Sequence, residues 1–195
     1  DPSIKIVIPT MGEFGAQLMA ASLKYVGMNT HVLPKPTELE FKFGKSNSLA
    51  KECLPLHLTL GSLIRYLNEH DNDDSIIMFF MPDTRGPCRF GQYSKYIDLW
   101  LDKNHVKNVG LFSLNSDNAY GGIGVRPRLR IWTSMTLADE FYNVENALLT
   151  LASDRNEAIE VIRKSRETML ESMKRDSYAE LMKKVETLSA EIARV

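Results

Sequence analysis

The sequence predicts an α/β protein: a three-layer, flavodoxin-like domain with about four parallel strands in the order 2-1-3-4, followed by a helical C-terminal segment. Short apolar runs alternate with amphipathic stretches over the first 120 residues, a pattern typical of βαβ units. The first strand, helix and second strand fit within about thirty residues, which favours a right-handed crossover in a parallel sheet. From Pro127 onward the spacing of apolar residues is helical. We therefore predict an α/β domain over residues 1–120 and a helical segment over 121–195, packing on that domain or on a missing one.

Three segments define the first βαβ unit. Lys5–Ile8 is short and apolar, as expected of a strand. Apolar side chains then recur at helical spacing over Phe14–Val26, and Gly27 fits the position just after a helix C-terminus. Thr30–Leu33 is predicted as the second strand, which two prolines follow.

The middle of the chain combines a polar stretch with a strong helix. Glu38–Ser48 is polar and carries Gly, Ser and Asn, so we predict a loop there. Leucines and an isoleucine over Leu56–Leu67 mark an amphipathic helix, with Cys53 at or just before its first turn. Pro55 suits an early helical position, because its missing N–H would be unpaired there. Ser75–Met81 is apolar throughout, which is typical of a buried parallel strand.

A helix from about Gln92 to Asp102 and a fourth strand over Lys107–Leu114 complete the predicted sheet. Asn115–Asn118 follows at the carboxyl edge. The glycine-rich segment Tyr120–Val125 lacks the spacing of a phosphate loop, so we interpret it as a flexible joint. Three helical patterns come next, and the second and third begin at capping pairs, Asp154 with Glu157 and Ser177 with Glu180.

Charge and hydropathy exclude several classes of partner. The formal net charge is −1, which gives no reason to expect nucleic acid. Apolar runs stay well below the length of a membrane span. The chain begins without a Met or a signal peptide and runs straight into a strand, so we expect a piece of a longer cytoplasmic protein. The sequence leaves open whether the chain forms a homo-oligomer.

Chemistry is concentrated at the two cysteines, Cys53 and Cys88, which lie 35 positions apart. Each precedes a helical pattern, and Cys88 lies in a loop after a predicted strand, where α/β sheets bind ligands. We expect both sulfurs in one site. Structural zinc usually shows closely spaced ligand pairs, and a redox pair is more often C-x-x-C. A helix N-terminus stabilises a thiolate and donates hydrogen bonds to an iron–sulfur cluster. His57 lies four residues after Cys53, so a Cys–His dyad is a second possibility. A third is that the two cysteines are simply buried structural thiols.

Two stretches carry a family resemblance. Glu52-Cys-Leu-Pro-Leu-His57 with Gly61, and Gly86-Pro-Cys-Arg-Phe-Gly-Gln-Tyr93, resemble the cysteine motifs of the 2-hydroxyacyl-CoA dehydratase and benzoyl-CoA reductase superfamily. The likeness is greatest to the branch known as CoA-substrate-specific enzyme activases, which is related to double-cubane cluster proteins. It covers roughly residues 1–120. The family's first motif often has Lys where this chain has His57.

The resemblance implies an iron–sulfur cluster, of the 4Fe-4S or double-cubane type, with Cys53 and Cys88 as iron ligands. The implied cluster pocket consists of His57, Gly86, Pro87, Arg89, Gly91, Gln92 and Tyr93. The family also uses a further cysteine, so the remaining ligands would come from the rest of the parent protein, a partner subunit or a non-protein group. An ATP-hydrolysing activase domain or subunit would supply the electron. No residue of this chain is predicted to be catalytic by itself.

The leading hypothesis is therefore an iron–sulfur electron-transfer domain of an ATP-driven 2-hydroxyacyl-CoA dehydratase- or reductase-like system. Two alternatives stay open. One is a non-catalytic interaction domain that retains the pocket, since a fold does not fix a function. The other is a thiol enzyme that uses Cys53 with His57 as its base.

Overall fold

The computed structural model describes residues 3–49, 51–70, 75–115 and 122–194. The chain divides into two compact units. The first, here called the α/β unit, comprises Asp1–Ala16 and Met28–Gly124, and the second, the helical unit, comprises Gln17–Gly27 and Val125–Val195. Helix α1, Glu13–Tyr25, contributes residues to both units.

The four strands of the α/β unit form one parallel sheet in the order β2-β1-β3-β4, which confirms the predicted flavodoxin-like strand order. They are β1 (Ile4–Ile8), β2 (Thr30–Val32), β3 (Ile76–Phe80) and β4 (Val109–Phe112). β1 and β3 are neighbours at the centre of the sheet, although they are not consecutive in the chain. The direction of winding reverses between them, and in such sheets ligands bind outside the carboxyl ends of those two strands.

Helices α3 (Leu54–Glu69) and α4 (Tyr93–Lys103) cover one face of this sheet. Alternate strand residues point toward them because successive side chains of a strand face opposite sides. The resulting core is apolar and closed to solvent, and its central members are Val7, Leu60, Leu63, Ile77, Phe79 and Ile97. A short 3-10 helix, Arg89–Gln92, leads directly into α4 and was not predicted.

The prediction of a loop at Glu38–Ser48 is wrong, because Glu38–Ser46 forms helix α2. Its start is fixed by a capping box, in which Thr37 accepts from the first turn and Glu40 accepts from the Thr37 backbone N–H at 2.6 Å. Its polar composition hid it, because its fully buried residues are Glu40 and Gly44 rather than large apolar side chains. Glu40 is only 2 % exposed and is paired with Arg65 of α3.

Two glycines let α2 and α3 approach backbone to backbone. A Cβ added at Gly61 would lie 1.7 Å from the Glu40 carbonyl oxygen, and one at Gly44 would lie 1.8 Å from the His57 carbonyl oxygen. Neither contact leaves room for a methyl group. The helix pair therefore fixes the position of α3, whose N-cap residue is Cys53.

The helical unit contains α5 (Val125–Leu151), α6 (Arg155–Arg175) and α7 (Tyr178–Ile192). The predicted helix starts are confirmed: Asp154 caps α6, and Ser177 forms a capping box with Glu180 at the start of α7. The buried Arg130 donates to the carbonyl oxygens of Met173 and Asp176 at the end of α6, which satisfies carbonyls that a helix end leaves unpaired. Among the described residues, no helix is both long and apolar enough to cross a bilayer.

Candidate functional site

Both cysteines lie where a helix begins. Cys53 is the N-cap residue of α3, with φ −72° and ψ 150°, and Cys88 is the N-cap residue of the short 3-10 helix, with φ −74° and ψ 134°. α3 precedes β3 in the chain and runs antiparallel to the parallel strands, so its N-terminus lies at the carboxyl edge of the sheet. The Cys88 loop follows β3 at this same edge.

Tyr93 contacts the Cys53 thiol. Its hydroxyl oxygen lies 2.6 Å from the Cys53 sulfur, and its side chain is buried, with the Phe90 ring packed edge-on at 5.2 Å. The pKa of Tyr93 is raised well above its ordinary value by burial first, then by the hydrogen bond to Cys53 and the negative charges of Cys53 and Cys88. The phenol therefore stays protonated at neutral pH and can donate its O–H to a Cys53 thiolate.

The cysteines differ in exposure. Cys53 is partly buried and packs against the core between α3, α4 and the sheet, whereas Cys88 is exposed. Within the described part of the chain, no three Cys, His, Asp or Glu side chains are grouped so as to hold a metal ion. At the carboxyl edge of the sheet, the candidate metal ligands are therefore the two thiols. Iron–sulfur clusters use cysteine thiolates as ligands.

One face of α4 holds the segment that leads to Cys53. Tyr93, Tyr96 and Trp100 recur at helical spacing. Tyr96 interacts with the Leu49 backbone, and burial together with the charge of Glu52 raises its pKa. The indole N–H of Trp100 donates to Asn47 Oδ1 at 3.3 Å. Sequence analysis identified Tyr96 and Trp100 only as a helix face, because their polar atoms have partners that are remote in sequence.

Glu52, the residue before Cys53, is held by its own loop. Desolvation acts to raise its pKa, but hydrogen bonds from backbone N–H groups, including those of Leu49 and Lys51, and the charge of His57 lower it overall. Its carboxylate accepts from the Lys51 N–H at 3.0 Å and from the Leu49 N–H at 3.4 Å. This turn fixes the backbone just ahead of the Cys53 N-cap.

His57 is buried one turn into α3 and is turned toward another partner. Its Nδ1 lies 3.0 Å from the Ser48 hydroxyl, and the Phe41 ring packs edge-on at 5.9 Å. The hydrogen bond of the Cys53 thiol goes to Tyr93. The geometry thus links Cys53 to a phenol rather than to the imidazole that a Cys–His dyad would use.

The Cys88 loop has an exposed part and a tightly packed part. Gly86, Pro87, Arg89 and Gln92 are exposed, so their side chains are accessible to a partner or to a bound group. Gly91 is buried, and a Cβ there would lie 2.1 Å from the Thr84 carbonyl oxygen. This close backbone contact folds the loop back on itself and sets the position of Cys88.

At the neighbouring strand ends, the Asn115 amide donates to Asp83 Oδ2 at 3.5 Å. This contact joins the segments that follow β3 and β4. Residues 116–118 of the predicted polar segment lie outside the described residues.

We expect Gly91→Ala to lower the free energy of unfolding of the α/β unit by about 1–3 kcal/mol, because the added methyl group collides with a backbone oxygen. Urea unfolding followed by Trp100 fluorescence, in a Trp132→Phe background, measures this change. Gly86→Ala in the same loop is the control, since nothing lies within 4 Å of its added Cβ, and a change under about 0.5 kcal/mol is expected. Equal effects of the two substitutions would show that the Thr84 contact does not hold the loop.

Comparisons with known proteins leave the family open. No family model, curated protein or solved structure matches the chain. The resemblance to the dehydratase and reductase superfamily therefore stays a prediction.

Proposed function

We propose that Cys53 and Cys88 are ligands of an iron–sulfur cluster, and that the α/β unit is an electron-transfer domain of an ATP-driven system like the 2-hydroxyacyl-CoA dehydratases. The observation that carries the proposal is that Cys53 and Cys88 each begin a helix at the carboxyl edge of the sheet, where such folds bind ligands, with the Cys53 sulfur 2.6 Å from the buried Tyr93 hydroxyl. The sequence motifs around the two cysteines are those on which the resemblance was based.

The local structure suits thiolate ligands. Cys53 lies at the positive end of the 16-residue helix α3, and its side chain does not cap that helix, so the sulfur remains available to a ligand. Tyr93 supplies a protonated hydroxyl beside it. Hydrogen bonds to cluster sulfurs are one of the means by which a protein sets a reduction potential.

Two thiols are fewer ligands than a four-iron cluster ordinarily has. The remaining donors would come from the parent protein, a partner subunit or a non-protein group that approaches the exposed Cys88 side. Arg89 is exposed in the same loop and is placed to offset the charge of an anionic group or partner. When bound, such a cluster supplies one-electron chemistry at low potential. An ATP-hydrolysing activase is the partner that this role requires.

Anaerobic reconstitution with ferrous iron and sulfide tests the proposal. We expect broad absorbance near about 400 nm in the wild-type protein, together with bound iron and acid-labile sulfide. Cys53→Ser and Cys88→Ser should each abolish both. Tyr96→Phe is the matched control, because it removes a hydroxyl one turn along α4 and keeps both thiols and Tyr93. Tyr93→Phe should retain the absorbance and lower the reduction potential, since it removes a donor that stabilises the reduced, more negative form.

Each other outcome contradicts the proposal in a specific way. Absorbance that survives both cysteine substitutions would place the iron elsewhere. If the wild-type protein takes up no iron, and Cys53 is alkylated rapidly in a manner lost in His57→Ala, the thiol-enzyme hypothesis is favoured. If neither iron uptake nor enhanced alkylation is found, the unit is an interaction domain.

A further inference from the structure

The first half of helix α5 exposes a row of large apolar side chains. Val125, Leu129, Trp132 and Met135 are 60 %, 57 %, 54 % and 44 % exposed. They recur every three or four positions, which places them on one face of the helix over a length of about 15 Å. This row is here called the α5 stripe.

The opposite face of the same half of α5 is buried. Arg130, Ile131 and Ser134 lie on it, and the Arg130 guanidinium packs on the Tyr25 ring of α1, 3.6 Å from the ring centroid. The α5 stripe is therefore not the face by which α5 packs within the helical unit. A helix that is apolar on two faces is usually buried on both, and an exposed apolar row that contains a tryptophan is typical of an interface.

Charge is distributed unevenly along this part of α5. The first turn carries Arg126 and Arg128 and has no acidic residue, whereas Asp139 and Glu140 follow the α5 stripe by about one turn. Near a helix N-terminus the macrodipole favours carboxylates over guanidinium groups. Carboxylates supplied from outside the helix would therefore stabilise the start of α5.

Two copies of this helix are complementary when they run in opposite directions. With Trp132 opposite its own copy, Leu129 of one helix faces Met135 of the other. The arginines at the start of one helix then come within one turn of the acidic pair, residues 139 and 140, of the other. A parallel arrangement would instead bring arginine against arginine, which is unfavourable.

We propose that the α5 stripe is the interface by which two copies of this chain associate, with their α5 helices packed antiparallel about a two-fold axis. This interface is independent of the function proposed for the thiol site. Trp132 lies at its centre, where aromatic side chains contribute most to binding. Because four side chains from each copy form a small interface, we expect a dissociation constant on the order of 10 µM.

Sedimentation equilibrium of the 195-residue chain over about 2–200 µM tests the association. A reductant is present throughout, so that the exposed Cys88 cannot cross-link two copies. We expect a monomer–dimer equilibrium that Trp132→Gln weakens at least about tenfold. Leu99→Gln is the matched control, because this leucine of α4 is 69 % exposed and lies outside the α5 stripe, and it should leave the dissociation constant unchanged.

A charge exchange tests the antiparallel register. Arg126→Glu and Glu140→Lys should each weaken association about fivefold at low ionic strength, because each pair occurs twice in a symmetric dimer. The double variant should recover the wild-type dissociation constant. Both positions are exposed, and circular dichroism checks that the variants stay folded. A wild-type chain that stays monomeric at every concentration, association that survives Trp132→Gln, or a double variant that binds no more tightly than the single ones would overturn the proposal.

Discussion

Gly61→Ala is expected to lower the free energy of unfolding of the α/β unit by about 4 kcal/mol. The added Cβ would lie 1.7 Å from the Glu40 carbonyl oxygen and 3.0 Å from the Gly44 nitrogen. Both neighbours are backbone atoms of α2, so relief requires the two helices to move apart. Alanine is the better helix former by about 1 kcal/mol, but this gain is smaller than the cost of separating a packed helix pair.

Urea unfolding monitored by Trp100 fluorescence, with Trp132→Phe as the background, measures this loss in the unit that contains α2 and α3. Gly86→Ala again serves as the control, because the same methyl group meets open space there. Wild-type stability in Gly61→Ala would contradict the close packing of α2 on α3. Because Cys53 is the N-cap residue of α3, we also expect Gly61→Ala to impair the iron uptake proposed above.

Glu40→Gln is expected to cost about 3 kcal/mol at neutral pH. The carboxylate of Glu40 accepts from the Thr37 N–H and hydroxyl and from Arg65, while only 2 % of the residue is exposed. Burial acts to raise its pKa, but these hydrogen bonds prevail and lower it from 4.5 to about 2. A difference of that size corresponds to about 3 kcal/mol, since one pKa unit is about 1.4 kcal/mol.

The sign of the pH dependence follows from this lowered pKa. The folded state holds the proton less tightly than the unfolded state, so the contribution is fully present above pH 4.5 and is lost as the pH falls toward 2. The stability difference between wild type and Glu40→Gln should therefore shrink over that interval. Unfolding measured at a series of pH values tests this.

Glu69→Gln is the control, because Glu69 pairs with Arg65, the same arginine that pairs with Glu40. Glu69 pairs with Arg65 Nε at 2.7 Å, but its side chain is 53 % exposed, so its removal should cost less than about 1 kcal/mol. A pH-independent difference for Glu40→Gln, or equal costs for the two glutamates, would show that Glu40 is not the acid-sensitive group of this helix pair.

Local sequence patterns predicted the fold well wherever burial gives the apolar residues a regular spacing along the chain. The four strands were visible as short apolar runs, and the C-terminal helices were visible through the capping residues Asp154, Ser177 and Glu180. Helix α2 was missed for a physical reason. Its stability comes from a capping box, a buried ion pair with Arg65 and glycine packing on α3, and none of these produces an apolar stripe.

The candidate site divides in a similar way. That each cysteine precedes a helix could be inferred from neighbouring residues, since caps and first turns are local features. The contact of Cys53 with Tyr93 could not, because these two residues are brought together by the packing of α3 against α4. The turn of His57 toward Ser48 likewise depends on the loop between α2 and α3. The role of these residues in iron binding stays a prediction.

The sequence by itself determined the fold class and the position of each thiol at the start of a helix, because apolar periodicity and capping act within a few residues of the chain. Tertiary structure alone decided that residues 17–27 group with the C-terminal helices and that the Tyr93 phenol contacts the Cys53 thiol. These features arise from contacts between segments tens of residues apart. Such contacts depend on how whole elements pack, and no local pattern encodes that packing.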